Sequence, residues 1–375
     1  MLEKPESILF LVSSMRAGGA ERVASLLCNY WARNGRRVTL APTFSGRGEC
    51  DYAIDPAIDL VYLADRLPAS RVPQPKKIRR LRALRELIRE TRPDVIISFL
   101  TNVNIAAIIA TLDLNIPVFV SERTYPPAMP TPYMLALLRR WLYPKAGAVV
   151  MQTDRGLEWL ADTIPRSLGA VVPNPVQYPL PVTEPIISVD ITVAPARKVI
   201  LAVGRLGPEK GFADLIKVFS SLHDQFPLWD LVIIGEGSER TLLEDTASLN
   251  GVTNRVFLPG VAGNMADWYQ RASIFALSSH FEGFPNALLE AMAYGLPAVS
   301  RDCDTGPSSI IRDNIDGLLV PPDKFFSGFK EALRKLMESS LLRKRMSASA
   351  AEVRQRFALH EVARQWDALY LGGKT

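Results

Sequence analysis

Short apolar runs recur along this chain, each followed by a loop and then by a segment of helical period. Residues 8–12 open the series, and 38–41, 95–99, 118–120 and 148–151 continue it. Helical patterns such as 21–33 and 76–91 lie between them. A strand–loop–helix repeat predicts parallel sheets covered by helices on both faces. The repeat restarts at 199–203 and runs on through 231–234, 256–258, 273–277, 298–300 and 318–320. At 375 residues the chain is too long for one typical core and suits two such domains. Prolines crowd residues 173–197 (Pro173, Pro175, Pro179, Pro181, Pro185, Pro195), with no helical period. The expected division is a first domain over 1–175, a linker over 176–197 and a second domain over 198–350. A last amphipathic segment over 351–375 carries Val353, Phe357, Val362, Trp366 and Tyr370.

Charge is uneven. Residues 1–180 hold 23 Lys+Arg against 16 Asp+Glu, whereas the remainder holds 21 against 23. The basic excess points to an anionic surface or acceptor met by the first half. Cys28, Cys50 and Cys303 show no paired spacing, which reads as unbridged thiols in a reducing compartment. The N-terminus lacks the pattern of a signal peptide, and no apolar stretch reaches ~18 residues. A cytoplasmic location is expected, with peripheral contact on the cytoplasmic face of an inner membrane as its extension.

Chemistry concentrates in loops that follow predicted strands, where such sheets bind ligands. After the strand at 273–277, Glu282 and Glu290 stand eight apart around a predicted helix start. Gly283 loosens the turn, and Pro285 suits the first helical turn, where its missing N–H costs nothing. Gly295 and Pro297 end the helix. Glu290 is then displaced roughly 8 to 12 Å from Glu282 along the axis. A helix N-terminus attracts phosphate, so acids on either side of it suggest a ligand with phosphate between two hydroxyl-bearing ends, as in a nucleotide-sugar. The loop from Gly204 to Gly211 carries Arg205 and Lys210, a rigid donor fork and a mobile point charge able to clamp a diphosphate. Gly235-Glu236-Gly237 fits a turn against a flat ligand such as a nucleobase. Gly18 and Gly19, after the first strand, let backbone approach a ligand. Each of these loops alone is equally compatible with a plain turn or with solvated surface cations.

Taken together, Gly204-Arg205…Lys210-Gly211 and the Glu282/Glu290 pair resemble the retaining glycosyltransferases of family 4. Gly18-Gly19-Ala20-Glu21-Arg22 and Thr305-Gly306-Pro307 add to the resemblance, which covers essentially the whole chain. It implies an α/β GT-B fold, with two Rossmann-like βαβ domains facing each other across a cleft and the C-terminal helix crossing back to the first. It further implies Arg205, Lys210 and Glu282 as catalytic residues. Gly18, Gly19, Gly204, Gly235, Gly237, Gly283, Phe284, Pro285 and Asn286 would bind the donor, with Glu290 on the ribose hydroxyls. No metal cofactor is implied, because Arg205 and Lys210 supply the positive charge. The implied reaction moves a hexose or N-acetylhexosamine, with retention, from a UDP-sugar to a glycan acceptor, lipid-linked through a polyprenyl diphosphate. It would serve polysaccharide, lipopolysaccharide or glycoprotein glycan assembly. A UDP-sugar epimerase of the same fold and a non-catalytic nucleotide-sugar-binding subunit are the alternatives. Relatives often place a histidine after the acid that corresponds to Glu122. Arg123 stands there instead and cannot act as a general base, but on the acceptor or lipid-diphosphate side it could pair with a phosphate or orient a hydroxyl.

Other features have plainer readings. Asp302-Cys303-Asp304 resembles a metal-binding DxD, but 20 Asp in 375 residues give roughly one such triplet by chance. His223, His280 and His360 lack ligand spacing, although His280 lies close to Glu282. The stretch from Lys76 to Arg85 is basic with an apolar stripe. It reads either as a core-packed helix with solvated cations, or as a contact from Lys76, Lys77 and Arg80 to anionic lipid or a lipid-linked diphosphate. Residues 133–143 are a second such candidate. Nucleic acid is disfavoured by the absence of any recognised motif.

Overall fold

A computed structural model describes residues 5–67, 75–129 and 131–372. The chain divides into one unit formed by residues 1–175 with 357–375, and a second formed by residues 176–356.

The first unit is built on a seven-stranded parallel sheet. Its strands are β1 (Ser7–Val12), β2 (Arg37–Pro42), β3 (Asp59–Leu60), β4 (Val95–Phe99), β5 (Val118–Ser121), β6 (Ala148–Met151) and β7 (Gly169–Val171), in the spatial order β3-β2-β1-β4-β5-β6-β7. Successive residues of a strand point to opposite faces. Phe10, Ile97 and Phe99 therefore pack with Trp31, and Leu9, Leu11 and Ile96 pack with Leu84 and Tyr143 on the other side. Both faces are dry, which is why these strands read as continuous apolar runs. The short strands β3 and β7 escaped the sequence reading because two or three residues carry too little pattern.

The helix Leu359–Gly372 belongs to this unit. Trp366 and Val362 enter the same core as Trp31 and Phe99. Asp367 accepts two hydrogen bonds of 2.7 Å from the Arg36 guanidinium, and Oδ1 takes a third from Trp31 Nε1 at 3.2 Å. The crossing of the last helix back to the first domain thus rests on buried aromatics and one buried ion pair.

The second unit holds a six-stranded parallel sheet made of β8 (Lys198–Val203), β9 (Trp229–Ile234), β10 (Val256–Gly260), β11 (Ile274–Leu277), β12 (Ala298–Arg301) and β13 (Gly317–Val320). The order β10-β9-β8-β11-β12-β13 is that of a Rossmann-like sheet. Residues 176–197 are tied to this unit. Leu180 N donates to Tyr294 Oη at 2.9 Å, and Asn264 bonds both Ile187 N and Ile187 O at 3.0 Å.

In each sheet the chain runs outward one way, returns, and runs outward the other way. The reversal falls between β8 and β11 in the second unit and between β1 and β4 in the first. The loops leaving paired strands there diverge and leave a crevice at the carboxyl edge.

Candidate active site

β8 and β11 are hydrogen-bonded neighbours, so the loops that follow them lie side by side. The β8 loop carries Arg205 and Lys210, the latter on the short 3-10 turn Pro208–Lys210. The β11 loop carries Glu282 and leads into the helix Asn286–Ala293. Lys210 Nζ lies 2.7 Å from Glu282 Oε1, and Ser279 Oγ donates to the same oxygen at 2.6 Å. Two further bonds hold the backbone of this pair, from Ser278 Oγ to Lys210 O (2.7 Å) and from Thr305 Oγ1 to Glu282 O (2.5 Å). The ion pair is largely shielded, with side-chain exposures of 21% for Lys210 and 10% for Glu282. Shielding lowers the local dielectric and strengthens the pull of Lys210 on any anion brought beside it.

Arg205 behaves differently. It is exposed, and its Nε and Nη2 reach Glu209 Oε1 at 3.1 and 2.6 Å. Gly204, Gly235 and Gly237 cluster beside it. A Cβ on Gly235 would stand 1.9 Å from Gly204 O, so the β9 loop can lie against the β8 loop only without a side chain there. The nearness expected to serve a nucleobase therefore also has a purely internal cause.

The helix after β11 starts one residue later than the sequence suggests. Pro285 is its N-cap, with φ −73° and an extended ψ of 99°, and Asn286 is the first helical residue. Proline still suits this place because a helix start needs no N–H from it. Gly283 is partly exposed in the turn, while Phe284 and Pro285 are buried. Glu290 sits in the second helical turn, buried, with Oε2 accepting from Tyr269 Oη at 3.2 Å. Tyr269 stacks on Tyr294, the helix C-cap. Cys303 lies near Glu282. Burial first, and then the charge of Glu282, push its thiol up to about 12, so it is no nucleophile at neutral pH. His280 Nδ1 pairs with Arg301 Nη1 at 2.7 Å. Among the described residues no three His, Cys, Asp or Glu side chains group as a metal site, and Asp302-Cys303-Asp304 is part of none.

In the first unit Gly18 caps the helix Gly19–Arg33, and its N–H donates to Tyr52 Oη at 2.8 Å. Ser13 and Ser14 hydroxyls reach Glu21 Oε1 in the first helical turn. Arg123 follows β5 and is buried. It lies 4.2 Å above the Phe99 ring and bonds the neutral side chains of Ser121 and Asn174. Burial pulls its guanidinium down to about 9, against the opposing charge of Glu21. Its Nε is buried without a hydrogen-bond partner. A largely buried cation whose side-chain hydrogen bonds go to neutral groups is a place where an anion would be stabilised.

Comparison with known proteins places these two units. Residues 185–353 match the model for glycosyl transferases group 1, and residues 18–175 match that for a glycosyl transferase 4-like domain. The amylovoran biosynthesis glycosyltransferase AmsD of Erwinia amylovora is 27% identical over 371 residues, covering 96% of this chain and 98% of that one. A second relative is 26% identical over 361 residues, covering 96% of each chain. It is the GalNAc-α-(1→4)-GalNAc-α-(1→3)-diNAcBac-PP-undecaprenol α-1,4-N-acetyl-D-galactosaminyltransferase of Campylobacter jejuni. The crystal structure of Anabaena Alr3699/HepE in complex with UDP superposes with a TM-score of 0.77 at 18% identity, covering 96% of this chain and 98% of that one. The chain belongs to the GT-B glycosyltransferases of the group 1 and 4-like type.

Within this glycosyltransferase the expected site residues fall into three groups. Lys210 and Glu282 are joined directly, Gly204, Gly283, Phe284 and Pro285 lie in the same two loops, and Asn286 opens the helix that follows. Arg205 is bonded to Glu209, and Glu290 is anchored on Tyr269. Gly18, Gly19 and Arg123 belong to the other unit, as do Lys76, Lys77 and Arg80. Lys76 and Lys77 are exposed at the start of the helix Lys76–Thr91, and Arg80 stacks 4.5 Å from the centre of the Phe44 ring. Sequence reasoning missed Ser279, Glu209 and Tyr269 as supporting groups, and singled out Thr305 only within the Thr305-Gly306-Pro307 turn. Nothing in the sequence marks Glu209 as the partner of Arg205, and single serines in loops are too common to single out.

Proposed function

We propose that this glycosyltransferase moves a hexose or N-acetylhexosamine, with retention, from a UDP-sugar to a lipid-linked glycan acceptor. The reading rests most on the Lys210–Glu282 pair at the carboxyl edge of β8 and β11, where the topology provides a ligand crevice. In it, Lys210 and Arg205 hold the donor diphosphate, and Glu282 and Ser279 keep Lys210 aimed. The bond between the anomeric carbon and the diphosphate oxygen breaks while a bond to the acceptor hydroxyl oxygen forms on the same face. The hydroxyl proton passes to the departing diphosphate. Charge grows on that diphosphate as the bond breaks, and the two cations stabilise it without a metal ion. Glu290 takes the ribose hydroxyls.

A lipid-linked acceptor is supported by the Campylobacter relative, whose substrate carries undecaprenyl diphosphate. It is also supported by the surface of the first unit. Tyr133, Met134, Leu138 and Trp141 are exposed on the helix Tyr133–Leu142, beside the exposed Arg140. That helix and the basic helix Lys76–Thr91 both pack against the helix Thr101–Thr111. Exposed aromatics beside lysines and arginines suit the headgroup region of an anionic bilayer, on the cytoplasmic face. No helix among the described residues is long and apolar enough to cross a membrane. Polysaccharide, lipopolysaccharide or glycoprotein glycan assembly is the corresponding role, and AmsD serves amylovoran biosynthesis.

The test is transfer from UDP-glucose, UDP-galactose and their N-acetyl forms to polyprenyl-diphosphate-linked saccharides, with the anomeric configuration of the product read by NMR. An inverted linkage, or free epimerised UDP-sugar as the sole product, would refute this reading.

A further inference from the structure

We propose that Glu209 is a positioning and specificity-determining residue, a built-in counter-ion that parks Arg205 and biases the donor site against the leaving nucleoside diphosphate. The inference rests on the reading that Arg205 and Lys210 hold the donor diphosphate.

Both bonds from Arg205 converge on one oxygen, Glu209 Oε1, at 3.1 and 2.6 Å. The partners are unequal: the Arg205 side chain is 74% exposed and that of Glu209 only 15%. The acid is therefore the held member of the pair and the arginine the one free to swing. Three features hold the acid. Its own turn, Pro208–Lys210, is tied to the β11 loop by the bond from His280 N to Glu209 O at 2.8 Å. Its second oxygen lies directly over Gly207, where a Cβ would come within 2.5 Å of Oε2. Burial alone would raise its pKa, but the Arg205 bond and its own backbone amide outweigh burial and hold it below the usual carboxylate range. Glu209 thus stays anionic throughout neutral pH.

Lys210 is matched in the same way by Glu282. Two cations and two carboxylates cancel across the two loops, so the site is not a general anion trap. A phosphate that recruits Arg205 must replace Glu209 as its partner, while the carboxylate stays in its turn beside the ligand. The two diphosphates of the reaction then differ. In the nucleotide-sugar both phosphates are esterified. In the product the terminal phosphate is free, with a second ionisation near pH 6, and carries about one more negative charge at neutral pH. Repulsion from Glu209 falls harder on the product, which favours its departure.

The experiment is isothermal titration of the full chain, wild type and variants, with UDP, GDP and ADP, following whichever binds tightest. Donor KM, kcat and product inhibition are measured alongside. Glu209→Gln keeps the shape and removes the charge. The nucleoside diphosphate should then bind about two- to fivefold tighter. Donor KM should change less than that, and product inhibition should deepen. Unchanged or weaker diphosphate binding in Glu209→Gln, with Arg205→Ala weakened as expected, would overturn the role of Glu209 alone. Unchanged binding in Arg205→Ala would overturn the donor-site reading and this inference with it. Melting curves of each variant separate a misfolded loop from a true loss of affinity.

Discussion

Lys210 Nζ and Glu282 Oε1 stand 2.7 Å apart, and the hydroxyl of Ser279 completes the carboxylate's coordination at 2.6 Å. One contact thereby joins two loops that are 72 residues apart in sequence. Lys210→Ala should lower kcat about 100-fold, the usual effect of deleting a charge-stabilising donor. Ser279→Ala, which only loosens Glu282, should cost roughly tenfold. Far-UV circular dichroism should be unchanged in both. Wild-type turnover in Lys210→Ala would remove it from the chemistry.

Glu290 and Tyr269 make a separable prediction. If Glu290 holds the ribose, Glu290→Ala should raise donor KM about tenfold or more and leave kcat nearly intact. Preference for a donor with its ribose hydroxyls over one without them should collapse in this variant. Tyr269→Phe, which removes the 3.2 Å bond, should fall between wild type and Glu290→Ala. A ribose preference that survives Glu290→Ala assigns the ribose to another residue.

The Arg36–Asp367 pair is nearly closed to solvent, with side-chain exposures of 10% and 7%. Removing one partner strands the other charge, at a cost of about 3–5 kcal/mol. Asp367→Ala also leaves Trp31 Nε1 without its acceptor. Its melting temperature should drop by on the order of 10 °C in differential scanning calorimetry. A change of a degree or two would mean that the last helix is held by its aromatic face alone.

Glu122 carries a pH signature. Burial pushes its carboxyl up, against the hydrogen bonds of Tyr143 and Thr101 and the charge of Arg139. A folded pKa above the unfolded one gives a stability contribution that is complete below the unfolded value, near ~4.3, and is lost as pH rises through the folded value. Glu122→Gln has no such loss. The advantage of wild type over Glu122→Gln in melting temperature should therefore shrink as pH rises above the ordinary carboxylate range. A gap that stays constant would mean Glu122 titrates alike in both states.

The exposed face of Tyr133–Leu142 predicts sedimentation with anionic vesicles. Trp141→Ser with Tyr133→Ser should reduce the bound fraction severalfold without shifting the melting curve, since both side chains are about three-quarters exposed. Lys76→Gln with Lys77→Gln should flatten the salt dependence, because screening acts on those charges. Vesicle binding unaffected by either pair would place the membrane contact elsewhere.

The two parallel sheets were legible because fully buried strands leave uninterrupted apolar runs, as at 8–12 and 199–203. The pairing of Lys210 with Glu282 was legible only as two loops after two strands, since their adjacency depends on β8 and β11 being neighbours. The partners of Arg205 and Glu290 were not legible. A carboxylate four residues away, or a tyrosine 21 residues away, becomes a ligand only through turn geometry and helix packing. Arg123 stood out by its type, but its burial over Phe99 follows from the end of β5 lying beside that of β4.

The last helix closes the core of a unit the chain left at residue 175, so residues 176–356 are a cassette inserted into a single discontinuous host. Protein engineering should respect that nesting. A stop after Arg356 trims nothing from the inserted unit and instead uncaps Trp31 and Phe99 in the host. A graft that exchanges the inserted unit between relatives has natural seams at 175/176 and 356/357, with Arg36 and Asp367 kept together on the host side.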